Sequence, residues 1–299
     1  MVAVLQVVLA AVLFGTTGTS QALGPEATTP VGVGAMRLVV GGAGLFVVLP
    51  LLGHGIRDAA RLWRTGRGLL AGACTAAYQL CFFAAVAQTG VAVGTLVTIG
   101  SGPVFAGLLA WLTLRERPTA SWFAATALCA AGLGLLSLDG LAGSDADPVG
   151  ILLALGSGLG YAVYTVLSRS FMQQGVASEV VMAAAFGLGG VLLLPLLAFE
   201  PVGWVATPAG VALALYLGLG TTTLAYVLFG RGLHVLPAAP VTTLVLAEPL
   251  VATVLGVVVL GETLPAAGIA GAALILAGLV LQGLMAARRR PEVPAVLPA

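Results

Sequence analysis

The sequence predicts an all-α integral membrane protein: ten transmembrane helices in two inverted five-helix repeats, with N- and C-termini cytoplasmic. Three observations predict it. The composition is overwhelmingly apolar, arginine falls on one side of the connections, and the chain matches itself at an offset of 146 positions. Of the 299 residues, 60% are hydrophobic and 8% charged, where a soluble domain carries about 25% charge. Mean hydropathy is +1.11. A soluble globular enzyme, a disordered chain and a nucleic-acid binder are thereby excluded. Twelve basic residues, all arginine, against eleven acids give a net charge of +1, too little for a bulk positive field.

A spanning helix needs roughly 20 apolar residues, and clusters of glycine, proline and charge cut the chain into ten such runs. They fall at 2–22, 30–52, 68–88, 93–114, 119–138, 148–168, 178–199, 207–229, 240–260 and 264–285. With so little polar chain between them they must be helices, because lipid offers an open backbone no partner. The first run is longer than a signal-peptide core and lacks a positive segment ahead of it, so it reads as a span. Residues 1–144 make the first five-helix unit. Residues 145–299 make the second, ending in a short basic tail.

Arginine sets the orientation. Span 2 is followed by Arg57, Arg61, Arg64 and Arg67, span 4 by Arg115 and Arg117, span 6 by Arg169, span 8 by Arg231, and span 10 by Arg288, Arg289 and Arg290. The opposite connections hold Glu26, Asp139, Asp145, Asp147, Glu200 and Glu262, with no arginine. The arginine side is cytoplasmic.

Candidate site residues follow in chain order. Span 1 carries Phe14. Span 2 carries Arg37, about 10 Å deep at 1.5 Å per residue. Its guanidinium either snorkels outward, bonds a neighbouring helix, or pairs with a substrate carboxylate. In span 3, Tyr78 and Phe82 are four apart and share a face. Span 4 carries Thr95, Thr98 and Ser101 on one stripe, then Pro103. Span 6 carries Tyr161 and Tyr164, span 8 Thr222, Thr223 and Tyr226, and span 9 Thr242, Thr243, Glu248 and Pro249. An ionised glutamate at that depth costs about 2.5–3.5 kcal/mol on insertion scales. Glu248 is therefore partnered, protonated or facing water: a coupling group, a partner for a substrate amine, or a stabiliser of the helix break. Proline frees carbonyls and bends a helix, so Pro103 and Pro249 mark either two bent cavity-lining helices or packing kinks. Buried hydroxyls more often bond across helices. Together with the aromatics they outline a cavity with few fixed charges. Cys74, Cys81 and Cys129 fall in apolar runs and read as packing residues.

The offset of 146 aligns Phe83 with Phe229, Pro103 with Pro249, Ala106 with Ala252, Leu114 with Leu260, Glu116 with Glu262 and Gly132 with Gly278. It covers five spans, an odd number, so the second copy enters the membrane upside down. Inverted repeats are a design of secondary transporters, whose midplane site lies between halves that rock about it.

These residues resemble the EamA-type proteins of the drug/metabolite transporter superfamily, over spans 1 to 10. The most specific pieces are Glu248-Pro249-Leu250 leading to Leu260-Gly261-Glu262. Gly102-Pro103-Val104 leading to Leu114-Arg115-Glu116 is the weaker echo, and Met36-Arg37-Leu38 resembles the family's arginine position. The resemblance implies two inverted five-helix halves around a central cavity and export or exchange of small metabolites, most similar to inner-membrane exporters of amino acids, aromatic ones included. Gly102 stands where the second half has Glu248, so the glutamate is not a symmetric device.

The expected function is a secondary transporter of the bacterial inner membrane, multi-pass, working by alternating access. Its partners are a small-molecule substrate and the lipid bilayer, with no nucleic acid, ATP, metal or cofactor; oligomeric state is left open. The alternative within transport is efflux of cationic drugs on Glu248. An integral-membrane enzyme would need a nucleophile–base or acid cluster at one face, and the sequence offers none. A channel would need a ring of charge or carbonyls.

Overall fold

The computed structural model describes residues 1–138 and 147–288, and among them every regular element is helical. Asp139, Asp145, Arg289 and Arg290 lie outside the described residues. The elements are α1 (Val2–Ala22), α2 (Pro30–Leu51), α3 (Ile56–Leu62), α4 (Gly66–Leu114), α5 (Ala120–Leu136), α6 (Pro148–Gln173) and α7 (Ser178–Leu193). They continue with α8 (Pro208–Leu215), a π-helical segment Tyr216–Leu224, α9 (Ala225–Val235), α10 (Ala238–Leu244), α11 (Ala247–Leu260) and α12 (Ala266–Arg288). Eight helical rods are long and apolar enough to cross a membrane, α8 to α9 and α10 to α11 each counting as one; α5 is a shorter apolar helix of 17 residues.

Local chemistry places the helix starts. Thr29, Thr65, Thr119, Asp147 and Thr207 each accept a backbone N–H of the first turn through a side-chain oxygen. Three of these caps precede a proline, at Pro30, Pro148 and Pro208, where the missing N–H costs no helical bond.

Three departures from the sequence expectation are changes of helix continuity within or between apolar runs. Spans 68–88 and 93–114 form one element, α4, of 49 residues. At 1.5 Å per residue that is about 74 Å, over twice the hydrocarbon thickness. The break is Gly90 alone, at φ 80 and ψ 164. A Cβ there would meet nothing within 4 Å, so Gly90→Ala isolates the backbone term. We expect a loss of about 1–3 kcal/mol, read as a lower unfolding midpoint in detergent; an unchanged midpoint would contradict it. Span 8 runs on to Val235, six residues past its expected end at 229, with His234 in its last helical turn. The π-helical stretch within it has Thr222 and Thr223 hydroxyls donating to carbonyls five residues back, Leu217 and Gly218. Span 9 is split at Val245–Leu246, between α10 and α11.

Side chains settle which helices meet. Apolar faces gain little from packing against one another in lipid, so contact relies on close backbone approach at small residues. α5 packs on α12, where a Cβ on Gly132 would sit 2.5 Å from the Gly271 carbonyl and 2.8 Å from Ile275, and one on Gly278 would sit 2.5 Å from the Cys129 sulfur. α1 packs on α9 and α11, with Gly15 against the Glu248 carbonyl and Val251; α4 packs on α6, with Gly102 against Tyr161. α2 packs on α7. The central core holds Tyr164, Phe186, Phe229 and Leu38, all fully buried. The three cysteines are free.

Candidate functional site

Tyrosines from three helices converge on this core. Tyr161 and Tyr164, three apart on α6, present one face. Their rings lie 6.3 Å and 5.7 Å from Tyr78 of α4, the second pair stacked. Tyr226 of α9 faces Tyr78 hydroxyl to hydroxyl at 3.5 Å. It also packs on Phe186 at 3.7 Å, Phe14 at 5.0 Å and Phe229 at 5.7 Å. The Tyr161 and Tyr164 hydroxyls are buried with no partner among the described residues. Buried hydroxyls are as a rule bonded, and these two are exceptions among the described residues.

One cation and one anion adjoin the tyrosines. Arg37 does not snorkel: its Nη2 donates inward to Gln79 Oε1 at 3.3 Å, across α2 and α4. Glu248 stands in the first turn of α11, immediately past the break at Val245–Leu246, where the helix N-terminus favours a carboxylate. It is half-buried, on the side of α11 that meets α1 at Gly15. Arg37 and Glu248 lie within Coulombic reach of each other, Tyr78 within reach of both and Tyr161 within reach of Glu248. The two charges make no ion pair within 4.0 Å among the described residues.

Most of the predicted hydroxyls do something else. Thr98 donates to the Ala154 carbonyl at 3.2 Å, joining α4 to α6, and Ser101 donates back to the Thr98 carbonyl. Thr222 is satisfied by Leu217, while Thr243 donates to Ala239 and pairs with Thr126 of α5 at 2.9 Å. The Thr98–Ala154 and Thr126–Thr243 bonds join helices, the others close on their own helix, and Thr95, half-buried on α4, makes neither kind among the described residues. Phe82 pairs with its neighbour Phe83 at 5.6 Å and with no tyrosine ring among the described residues. Pro103 is buried inside an uninterrupted stretch of α4, whereas Pro249 follows a true break. The two prolines are therefore not equivalent bends.

Sequence reasoning missed Gln79, Phe186 and Phe229, and a second polar cluster at the arginine-rich end. Gln79 carried a signal, being an amide inside an apolar span. In the second cluster, Arg169 of α6 donates from Nε to Glu116 Oε1 at 3.0 Å and from Nη1 to the Leu233 and His234 carbonyls at the end of α9. Glu116 also accepts from Gln173 Nε2 at 3.1 Å and from the Ala238 N–H, the first of α10, at 2.9 Å. Arg169 and Glu116 are only 12% and 13% exposed. This network ties together the ends of four helices. Glu262, the residue aligned with Glu116, is exposed.

The model of the EamA-like transporter family matches residues 1–138 and 148–284. A Bacillus subtilis (strain 168) protein named as the uncharacterized transporter YwfM is 42% identical over 259 residues, 86% of each chain. A Streptantibioticus cattleyicolor protein named "Probable terminal-alkyne amino-acid exporter" is 30% identical over 174 residues, 58% of each. A solved crystal structure superposes with a TM-score of 0.81 over 96% of this chain and 98% of that one, at 24% identity, a likeness of fold. An all-helical bundle of apolar rods enclosing a few polar side chains agrees with these relationships: the chain is a multi-pass membrane protein of the EamA-like transporter family.

Proposed function

We propose that the protein is a secondary carrier of the bacterial inner membrane that exports or exchanges small metabolites, most suitably amino acids, by alternating access. One observation carries the reading. Arg37 and Glu248 stand apart, unpaired with each other, beside two partnerless tyrosine hydroxyls. That arrangement suits a solute with a carboxylate at one end, an ammonium at the other and an apolar body on the rings. A lone cation, as in drug efflux, would leave Arg37 repelling its own ligand.

Ten crossings follow if α4 counts twice, about Gly90, and α5 once. Two halves related by a two-fold are supported by contacts that exchange. Shifting Gly15 by 146 gives Tyr161 and shifting Gly102 gives Glu248, and the structure pairs Gly15 with Glu248 and Gly102 with Tyr161. Cys129 and Gly132 map onto Ile275 and Gly278, and the pairs are Gly132 with Ile275 and Cys129 with Gly278. Residue i meeting j′ while j meets i′ is the mark of a two-fold axis. The separate family matches at 1–138 and 148–284 support the division into residues 1–144 and 145–299. With the arginine-rich ends cytoplasmic, the Glu116–Arg169 network closes the cytoplasmic side, while its outer counterpart Glu262 is free.

Counterflow in proteoliposomes tests this. Vesicles preloaded with a mixture of unlabelled amino acids should accumulate a labelled aromatic amino acid with no ATP present. A lipophilic cation should compete poorly. Accumulation of the cation in place of the amino acid would favour the drug-efflux reading.

A further inference from the structure

We propose that the groove between α2 and the α8–α9 rod binds an anionic phospholipid of the cytoplasmic leaflet, one acyl chain in the groove and the phosphate on Arg231. The groove encloses about 760 Å³ on the outside of the bundle. α2 and the rod touch closely where Gly41 meets Thr222, Gly218 meets Val40 and Gly44 meets Thr223. Beyond these contacts the groove is walled by Val47, Val48 and Leu52 on one side and by Leu224 and Val227 on the other. From Val40 to Leu52 the wall runs twelve residues, about 18 Å at 1.5 Å each. One leaflet of hydrocarbon is about 15 Å, half the core thickness, so the groove is as long as one acyl chain.

The chemistry of the walls matches that occupant. Thr223 lines the groove, but its hydroxyl is spent on the Gly41 and Gly218 carbonyls at 3.0 and 3.2 Å, leaving hydrocarbon. Arg231 stands at the arginine-rich end, 41% exposed. Its Nε donates to Glu179 Oε1 at 2.7 Å, and its two terminal nitrogens carry no hydrogen bond among the described residues. Glu179 is otherwise engaged by Ser178 at 2.8 Å and by His54 at 4.0 Å. Beyond it α3 and its flank expose Arg57, Arg61, Arg64 and Arg67 against one acid, Asp58, which is paired with Arg61 at 3.1 Å. Trp63 anchors this collar by donating to the Ala184 carbonyl at 2.8 Å. Basic clusters just cytoplasmic of a span attract anionic lipid. The leaflet assignment rests on the arginine orientation, whereas binding itself does not depend on transport.

Native mass spectrometry of the full chain in neutral detergent, titrated with phosphatidylglycerol or with phosphatidylcholine of the same chains, tests the site. One phosphatidylglycerol per chain should be retained at least tenfold more tightly than phosphatidylcholine. Arg231→Gln should abolish that preference and Arg231→Lys should keep most of it. Val47→Trp fills the groove with Arg231 intact, and should remove binding of both lipids while leaving counterflow measurable. Equal retention of the two lipids, or undiminished binding by Val47→Trp, would overturn the proposal. So would a dimer in the wild type that Val47→Trp dissociates, because the groove would then hold a second copy.

Discussion

Arg37→Gln and Glu248→Gln are each expected to lower counterflow efficiency by about ten- to a hundredfold without unfolding the bundle. The magnitude is that of one charge-assisted hydrogen bond, about 1.5–3 kcal/mol; Glu248→Gln keeps the side-chain length, and Arg37→Gln keeps an amide donor on a shorter stem. The double variant decides what the charges do. If they hold opposite ends of one solute, their losses add. If they serve only to neutralise one another across α2 and α11, removing both leaves no buried unpaired charge and the double variant recovers relative to either single one. We expect addition, measured as initial rates over a substrate series, and recovery would contradict the proposed site. Tyr161→Phe and Tyr164→Phe provide the control for the orphaned hydroxyls. Tyr161→Phe should weaken substrate and leave stability unchanged, since its hydroxyl has no partner among the described residues, whereas Tyr164→Phe, beside Tyr226 and Thr165, should also lower stability slightly.

Breaking the Glu116–Arg169 network is expected to have the largest effect on stability. Glu116→Gln leaves a largely buried guanidinium with a weaker acceptor, and loss of a buried ion pair's partner costs about 3–5 kcal/mol. The same change frees the Ala238 N–H and loosens α10 from α4 and α6. The unfolding midpoint should therefore fall, and the cytoplasmic ends of α9 and α10 should become reactive to thiol reagents at introduced cysteines. Glu262→Gln, at the exposed aligned position, should change stability by no more than about 0.5 kcal/mol. Equal effects at 116 and 262 would show that the network is not a one-sided clasp.

The sequence carried the positions of the apolar rods because hydropathy over 20 residues is insensitive to detail. It did not carry Gly90, since a lone glycine among 42 gives no sign that its φ is positive. Arg37 and Glu248 stood out because charge in an apolar run is costly, and the structure puts both beside the tyrosines. The threonines misled for the opposite reason: a hydroxyl in a span can always satisfy itself on a carbonyl three to five residues back, as Thr222 and Thr243 do. The clasp was invisible because Glu116 and Arg169, 53 positions apart, meet only through tertiary packing. The offset of 146 was legible from paired prolines. The exchanged contacts of Gly15 with Glu248 and Gly102 with Tyr161 support the proposed repeat more directly than the prolines do.

Accessibility of position 161 from the two sides of the membrane tests the central claim most directly. Tyr161→Cys, in a chain whose Cys74, Cys81 and Cys129 are replaced by alanine, is labelled with a membrane-impermeant thiol reagent in right-side-out and in inside-out vesicles. Alternating access to a site between two halves predicts modification from both sides, each slowed by substrate. Modification from neither side, or from one side only under all conditions, would contradict it.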